Sequence, residues 1–172
     1  MKKLFNKSQQ GFTLIEVVLV LAIGGLIFLL AFLAFQQVAS NRRDAQRKSD
    51  AGRVVAELQN QFTNTKSYPT VSLANSDICG APVNILDGFI TFTNQYLCKN
   101  SEFKSPSGTN YTVAAGDNTD PLAKDQVRYS STRNILGGVA ANTNCDGTAM
   151  ASGGYKVEIG LEKGGLICRD AR

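Results

Sequence analysis

Two sets of residues in this 172-residue chain have types and spacings that point to chemistry. The first is one acid, Glu16, set a helical turn into the run FTLIEVVLVLAIGGLIFLLAFLAF from Phe12 to Phe35. A carboxylate at mid-bilayer costs on the order of 2.5–3.5 kcal/mol, and less near the interface, so an acid in such a run is expected to have a cationic partner. No Lys or Arg lies between Phe12 and Phe35. The cation that can be brought close is a new α-amino group, made by cutting the chain after Gly11. That amine on Phe12 would lie one turn from Glu16 of its own chain, or beside Glu16 of a neighbour. The plainer alternative leaves Glu16 at headgroup level.

The second set is the four cysteines, Cys79, Cys98, Cys145 and Cys168, all beyond the apolar run. An even number of widely spaced cysteines fits an oxidising, extracytoplasmic compartment. Four cysteines allow three pairings. Cys79–Cys98 and Cys145–Cys168 are preferred because each closes a loop of about 20 residues, worth roughly 3 kcal/mol by loop entropy. Zinc is disfavoured, since the chain has no histidine and no C-x-x-C pair. The missing histidine also removes the commonest general base. There is no G-x-S-x-G, P-loop or dinucleotide fingerprint, and serines without an activating base are weak nucleophiles. An enzyme is not expected.

The elements that must position these groups begin with the apolar run. At about 1.5 Å per residue it makes a helix of roughly 36 Å, enough for a hydrocarbon core of about 30 Å. It exceeds the roughly 7–15 residues of a secretory signal core, so a retained transmembrane helix is expected. Before it stands MKKLFNKSQQG, short and basic, whose Lys2, Lys3 and Lys7 would stay cytoplasmic.

Taken together, the basic leader, Gly11, Phe12, Thr13, Leu14, Ile15, Glu16 and the unbroken apolar run resemble a type IV prepilin. The resemblance is strong over the first third of the chain and architectural beyond it. It implies cleavage between Gly11 and Phe12 by a prepilin peptidase, N-methylation of Phe12, and pairing of Glu16 with the Phe12 amine of an adjacent subunit during assembly. It further implies assembly-platform membrane proteins as partners. Many type IVa pilins bend this helix at a proline. Here the span carries Gly24-Gly25 instead, either a soft point, at about 1 kcal/mol per glycine, or a close helix contact in the membrane.

Beyond the span, Gln36 to Thr65 is expected to continue the helix. Arg42, Arg43, Arg47 and Lys48 are read as facing water, with Asp44 and Asp50 at helical spacing or with charges on neighbouring subunits. Ala51, Val55, Leu58 and Phe62 make one apolar stripe that can lie on a sheet. Tyr68-Pro69 ends the helix. Short helix is favoured within Asn84–Cys98, a turn at Ser105–Gly108, and strands at Tyr111–Ala115, Gln126–Ser131, Gly154–Leu161 and Leu166–Cys168. In Gly154–Leu161, Tyr155, Val157, Ile159 and Leu161 alternate with Lys156, Glu158 and Gly160, as in a half-buried antiparallel strand.

The expected fold class is therefore α+β, a long N-terminal helix packed on a small antiparallel sheet. The expected segments are the leader 1–11, the membrane or filament-core helix 12–35, the amphipathic extension 36–65 and a disulfide-bearing head 66–172. Asn142, Asn144, Asp146 and Gly147 match the start of an EF-hand-type loop, but Gly153 stands where the bidentate acid is required, so no metal is expected there. Some pseudopilins hold calcium in a related loop, which leaves Asp117 and Asp120 as further weak candidates. The formal charge of +4 lies partly in the leader and does not demand a nucleic-acid partner.

The expected function is a structural subunit. It is stored as a single-pass precursor in the cytoplasmic membrane and polymerised into a surface filament for adhesion, twitching motility or DNA uptake. The competing expectations are a pseudopilin of a type II secretion or competence system, and an anchored extracytoplasmic binding protein that never polymerises.

Overall fold

A computed structural model describes residues 11–70, 77–79, 88–99, 103–114, 121–132 and 143–171. Its elements are α1 (Leu14–Thr65), α2 (Gly88–Phe92) with a π-helical turn at Thr93–Leu97, and strands β1 (Thr112–Ala114), β2 (Gln126–Ser131), β3 (Tyr155–Gly160) and β4 (Leu166–Ala171). The chain divides into two compact units, Met1–Ser40 and Asn41–Arg172. Together the elements make the α+β, pilin-like arrangement of a long N-terminal helix with a four-stranded sheet.

In the first unit the apolar side chains of α1 are not covered by the described residues: Leu14, Val20, Leu26, Phe28, Leu33 and Phe35 are all exposed. By length and composition α1 is able to cross a membrane. The helix runs through Gly24 and Gly25 without a break, and a Cβ at either would meet no atom within 4 Å.

In the second unit α1 buries a stripe on the sheet. Ala51, Val54 and Leu58 are fully buried in the core with Val113, Val127, Tyr129, Tyr155, Val157 and Ile159. The spacing of three and four is that of one helix face. Each large side chain so buried contributes about 1.5–3 kcal/mol. The expected stripe is thus rotated slightly, with Val55 only partly buried and Phe62 40% exposed. Phe62 stacks on Tyr68 at 4.7 Å, and Tyr68 meets Tyr155 at 4.7 Å, so the helix end is held by aromatic contacts. Lys66, with φ of 55°, closes the helix by donating its N–H to Phe62 O at 2.8 Å.

The sheet order is β1-β2-β3-β4. It is mixed, where an antiparallel sheet was expected. The β2–β3 and β3–β4 pairs are antiparallel, but β1 runs parallel to β2, with Val113 opposite Val127. The connection from Ala114 to Gln126 is too long for a tight hairpin, and parallel neighbours require a longer connection than a hairpin. The β3–β4 hairpin turns at Gly164 and Gly165, with φ of 79° and 89°, a region that suits glycine. At Gly160 an added Cβ would collide with the Ala123 carbonyl, so glycine lets β3 approach that loop.

Strand β3 also departs from the half-buried expectation, for both its faces are buried. Glu158 accepts Arg128 and Lys156 at 3.3 Å each, so the charges on the polar face are paired. The Cys145–Cys168 disulfide and a 2.8 Å bond from Cys145 N–H to Asp170 Oδ2 fasten the 143–150 loop over the same face. The other disulfide, Cys79–Cys98, ties the segment around Ile78 to the end of the π-helical turn.

Candidate functional site

Two constellations stand out, one in each unit. The first is the start of α1. The Thr13 carbonyl accepts the first helical bond, from Val17 N–H, which makes Thr13 the N-cap and Glu16 the third helical residue. Thr13 N–H and Thr13 Oγ1 both donate to Glu16 Oε2 at 2.8 Å, and Glu16 N–H donates to Thr13 Oγ1 at 3.3 Å. This is a reciprocal capping box. It places a carboxylate at the positive end of a helix, close in sequence to Phe12, which is 89% exposed. The T-x-x-E spacing was a readable signal for this role of Thr13. Glu16 is therefore held in place by its own helix terminus.

The second constellation lies in the head. Arg47 is fully buried and gathers three carboxylates: Asp125 at 2.7 Å, Asp44 at 3.0 Å and Glu162 at 3.0 Å. Arg43 reaches Glu162 at 3.3 Å, and Glu162 N–H donates to Asp44 Oδ1 at 3.0 Å. One turn along, Tyr111 OH donates to Asp50 Oδ2 at 2.8 Å. The polar half of α1 is thus clamped to the turns at 124–125 and 161–165 by its own chain. The reading of Arg47 and Asp50 as water-facing is corrected: both are buried, at 0% and 7% exposure. Arg42 and Lys48 are exposed as expected. The corrected face continues the apolar stripe, since positions 47, 50, 51, 54 and 58 share one side of the helix.

Burial opposes ionisation of Asp125, but hydrogen bonds from Arg47 and Ser107 outweigh it and hold that carboxyl below its usual range. At Asp50 burial wins over the Tyr111 bond and the nearby arginines, and its carboxyl is pushed up. Burial, reinforced by Asp50, also pushes the Tyr111 phenol up. The two acids act in opposite senses on stability. Asp125, with a depressed value, contributes stability above the unfolded pKa of about 3.9 and loses it as pH falls through the folded value. Asp50, with a raised value, favours folding below about 3.9 and loses that contribution as pH rises. Asp125→Asn is expected to flatten the acid limb of urea midpoints measured below about pH 4. An acid limb as steep as in the parent would contradict the clamp.

Of the weak metal candidates, Asp117, Asp120 and Asn142 lie outside the described residues. Asp146 Oδ1 accepts Thr148 N–H at 3.0 Å and Thr148 Oγ1 at 2.6 Å, and Asn144 Nδ2 donates to Thr148 Oγ1 at 3.0 Å. These side chains order their own turn, in which Gly147 has φ of 81°. Among the described residues no three acidic, cysteine or histidine side chains converge as a metal site.

Residues 6–32 match the prokaryotic N-terminal methylation motif. The chain carries the type IV prepilin signature. No curated protein and no solved structure matches the chain. The prepilin match spans the end of the leader and most of the apolar run, including Gly11, Phe12, the Thr13–Glu16 capping box and Gly24-Gly25. It supports a membrane-anchored precursor of the pilin or pseudopilin type, a structural kind of subunit. The head, with its Arg47 clamp and two disulfides, lies beyond the match and stands on its own geometry.

Proposed function

We propose that this chain is a filament subunit, cut between Gly11 and Phe12 by a prepilin peptidase and methylated on Phe12. It then polymerises through burial of Phe12–Phe35 among parallel helices. The observation that carries this reading is the motif at residues 6–32 running into a helix that starts at Leu14 and whose apolar side chains are exposed. A helix so apolar leaves water either for lipid or for copies of itself. Glu16 acts as the register device. Its carboxylate, fixed by Thr13, is matched by the Phe12 amine of an adjacent subunit only at the correct stagger.

Before assembly the precursor sits in the cytoplasmic membrane with its head outside, where the two disulfides persist. Afterwards it forms a surface filament used for adhesion, twitching motility or DNA uptake. A shorter pseudopilin fibre of a secretion or competence system uses the same parts. No cofactor is needed for either.

Gly11→Leu is expected to leave the precursor uncut, because a bulky side chain then occupies the position before the scissile bond. Intact-mass measurement of membrane fractions checks this. A variant chain that still begins at Phe12 would contradict the assigned cleavage point. A wild-type chain that is membrane-bound, uncut and never polymeric would instead identify an anchored binding protein.

A further inference from the structure

The acids around Arg47 point inward and the bases around them point outward. Asp44, Asp125 and Glu162 have side chains only 24%, 14% and 19% exposed, and all three are engaged by Arg47. At the rim, Arg43 is 41% and Lys124 57% exposed, and both reach the same Glu162 oxygen, at 3.3 and 4.0 Å. Arg42 and Lys163, the chain neighbours of Arg43 and Glu162, are exposed too. The ion-paired groups balance, three bases to three acids, and the exposed Arg42 and Lys163 next to them in the chain add two positive charges.

We infer that Arg42, Arg43, Lys124 and Lys163 form a docking surface for anionic phospholipid headgroups. Chain connectivity supplies the reason for choosing lipid. Arg42 lies seven residues past Phe35, so even a fully extended tether keeps it within about 25 Å of the end of the apolar run. While that run is in a bilayer, the chain itself keeps Arg42 near the headgroup layer. Negatively charged leaflets attract juxtamembrane bases within about a Debye length, roughly 8–10 Å. Docking would hold the stored subunit's head against the membrane, to be given up on extraction into a filament. The inference rests on membrane anchoring alone and not on cleavage or polymerisation.

The test places the full-length chain in nanodiscs of pure phosphatidylcholine, or of phosphatidylcholine with an equal share of phosphatidylglycerol. The acylation rate of each lysine is then read by mass spectrometry. Lys66, exposed at the far end of α1, is the internal reference. Lys124 and Lys163 are expected to slow about five-fold relative to Lys66 in the anionic discs only, and to recover in high salt. Equal relative rates in the two lipids would overturn the inference. Slowing in both lipids that grows with chains per disc would overturn it in favour of a second copy as the occupant. Failure of the chain to enter discs at all would overturn the anchored reading itself.

Discussion

Glu16→Ala is expected to leave cleavage and methylation intact and to reduce filaments at least about 100-fold in sheared surface material. Each subunit added to a filament would bury a Phe12 amine beside the helix start of a neighbour. Without the carboxylate that charge is uncompensated, and an unpaired buried charge costs about 3–5 kcal/mol. Three kcal/mol per addition is already a factor of about 100 in the association constant. The capping box offers a second explanation for the same loss, because alanine also removes the acceptor for Thr13 N–H and Oγ1. A lost cap costs only about 1 kcal/mol. Glu16→Gln separates the two, since glutamine keeps a cap acceptor and carries no charge. Filaments absent from both variants, with processed subunit in the membrane, assign the role to charge. Wild-type filament yield from Glu16→Gln would reduce Glu16 to a capping residue.

Arg47→Met is expected to destabilise the head by about 3 kcal/mol. Breaking a buried ion pair from one side costs about 3–5 kcal/mol. The low end applies because Asp44, Asp125 and Glu162 retain some access to water and rehydrate in part. Methionine keeps most of the side-chain volume, so the loss is electrostatic rather than a cavity. The melting temperature should fall by about 10 °C, measured by near-ultraviolet dichroism of the precursor in detergent. Combining Arg47→Met with Asp125→Asn should recover part of the loss, since one of the stranded charges is gone. A single variant that melts with the parent would mean that α1 is held to the head by its apolar stripe alone.

Much of this architecture was legible because its causes are local. The apolar run is long enough to span a membrane by composition, and β2 and β3 follow the QVRYSS and YKVEIG patterns. The capping box at Thr13 and Glu16 was equally local, three residues apart, and is seen once the T-x-x-E spacing is weighed against the helix start. The rest depended on partners distant in sequence. Arg47 reads as a solvated residue until Asp125 and Glu162, 78 and 115 positions away, are brought to it. Lys156 and Glu158 read as an outer face until Arg128 and the 143–150 loop cover them. The parallel β1–β2 pair is likewise a matter of strand direction, which no alternation within either strand encodes.

The central claim is that proteolysis creates the cation that Glu16 is positioned to meet. Intact-mass and fragment analysis of the mature chain from wild-type cells tests it most directly. A chain that starts at Phe12 and carries one methyl group on its amine is the expected result. A chain that keeps Met1 and the basic leader would contradict the role given to Glu16 and the filament built on it.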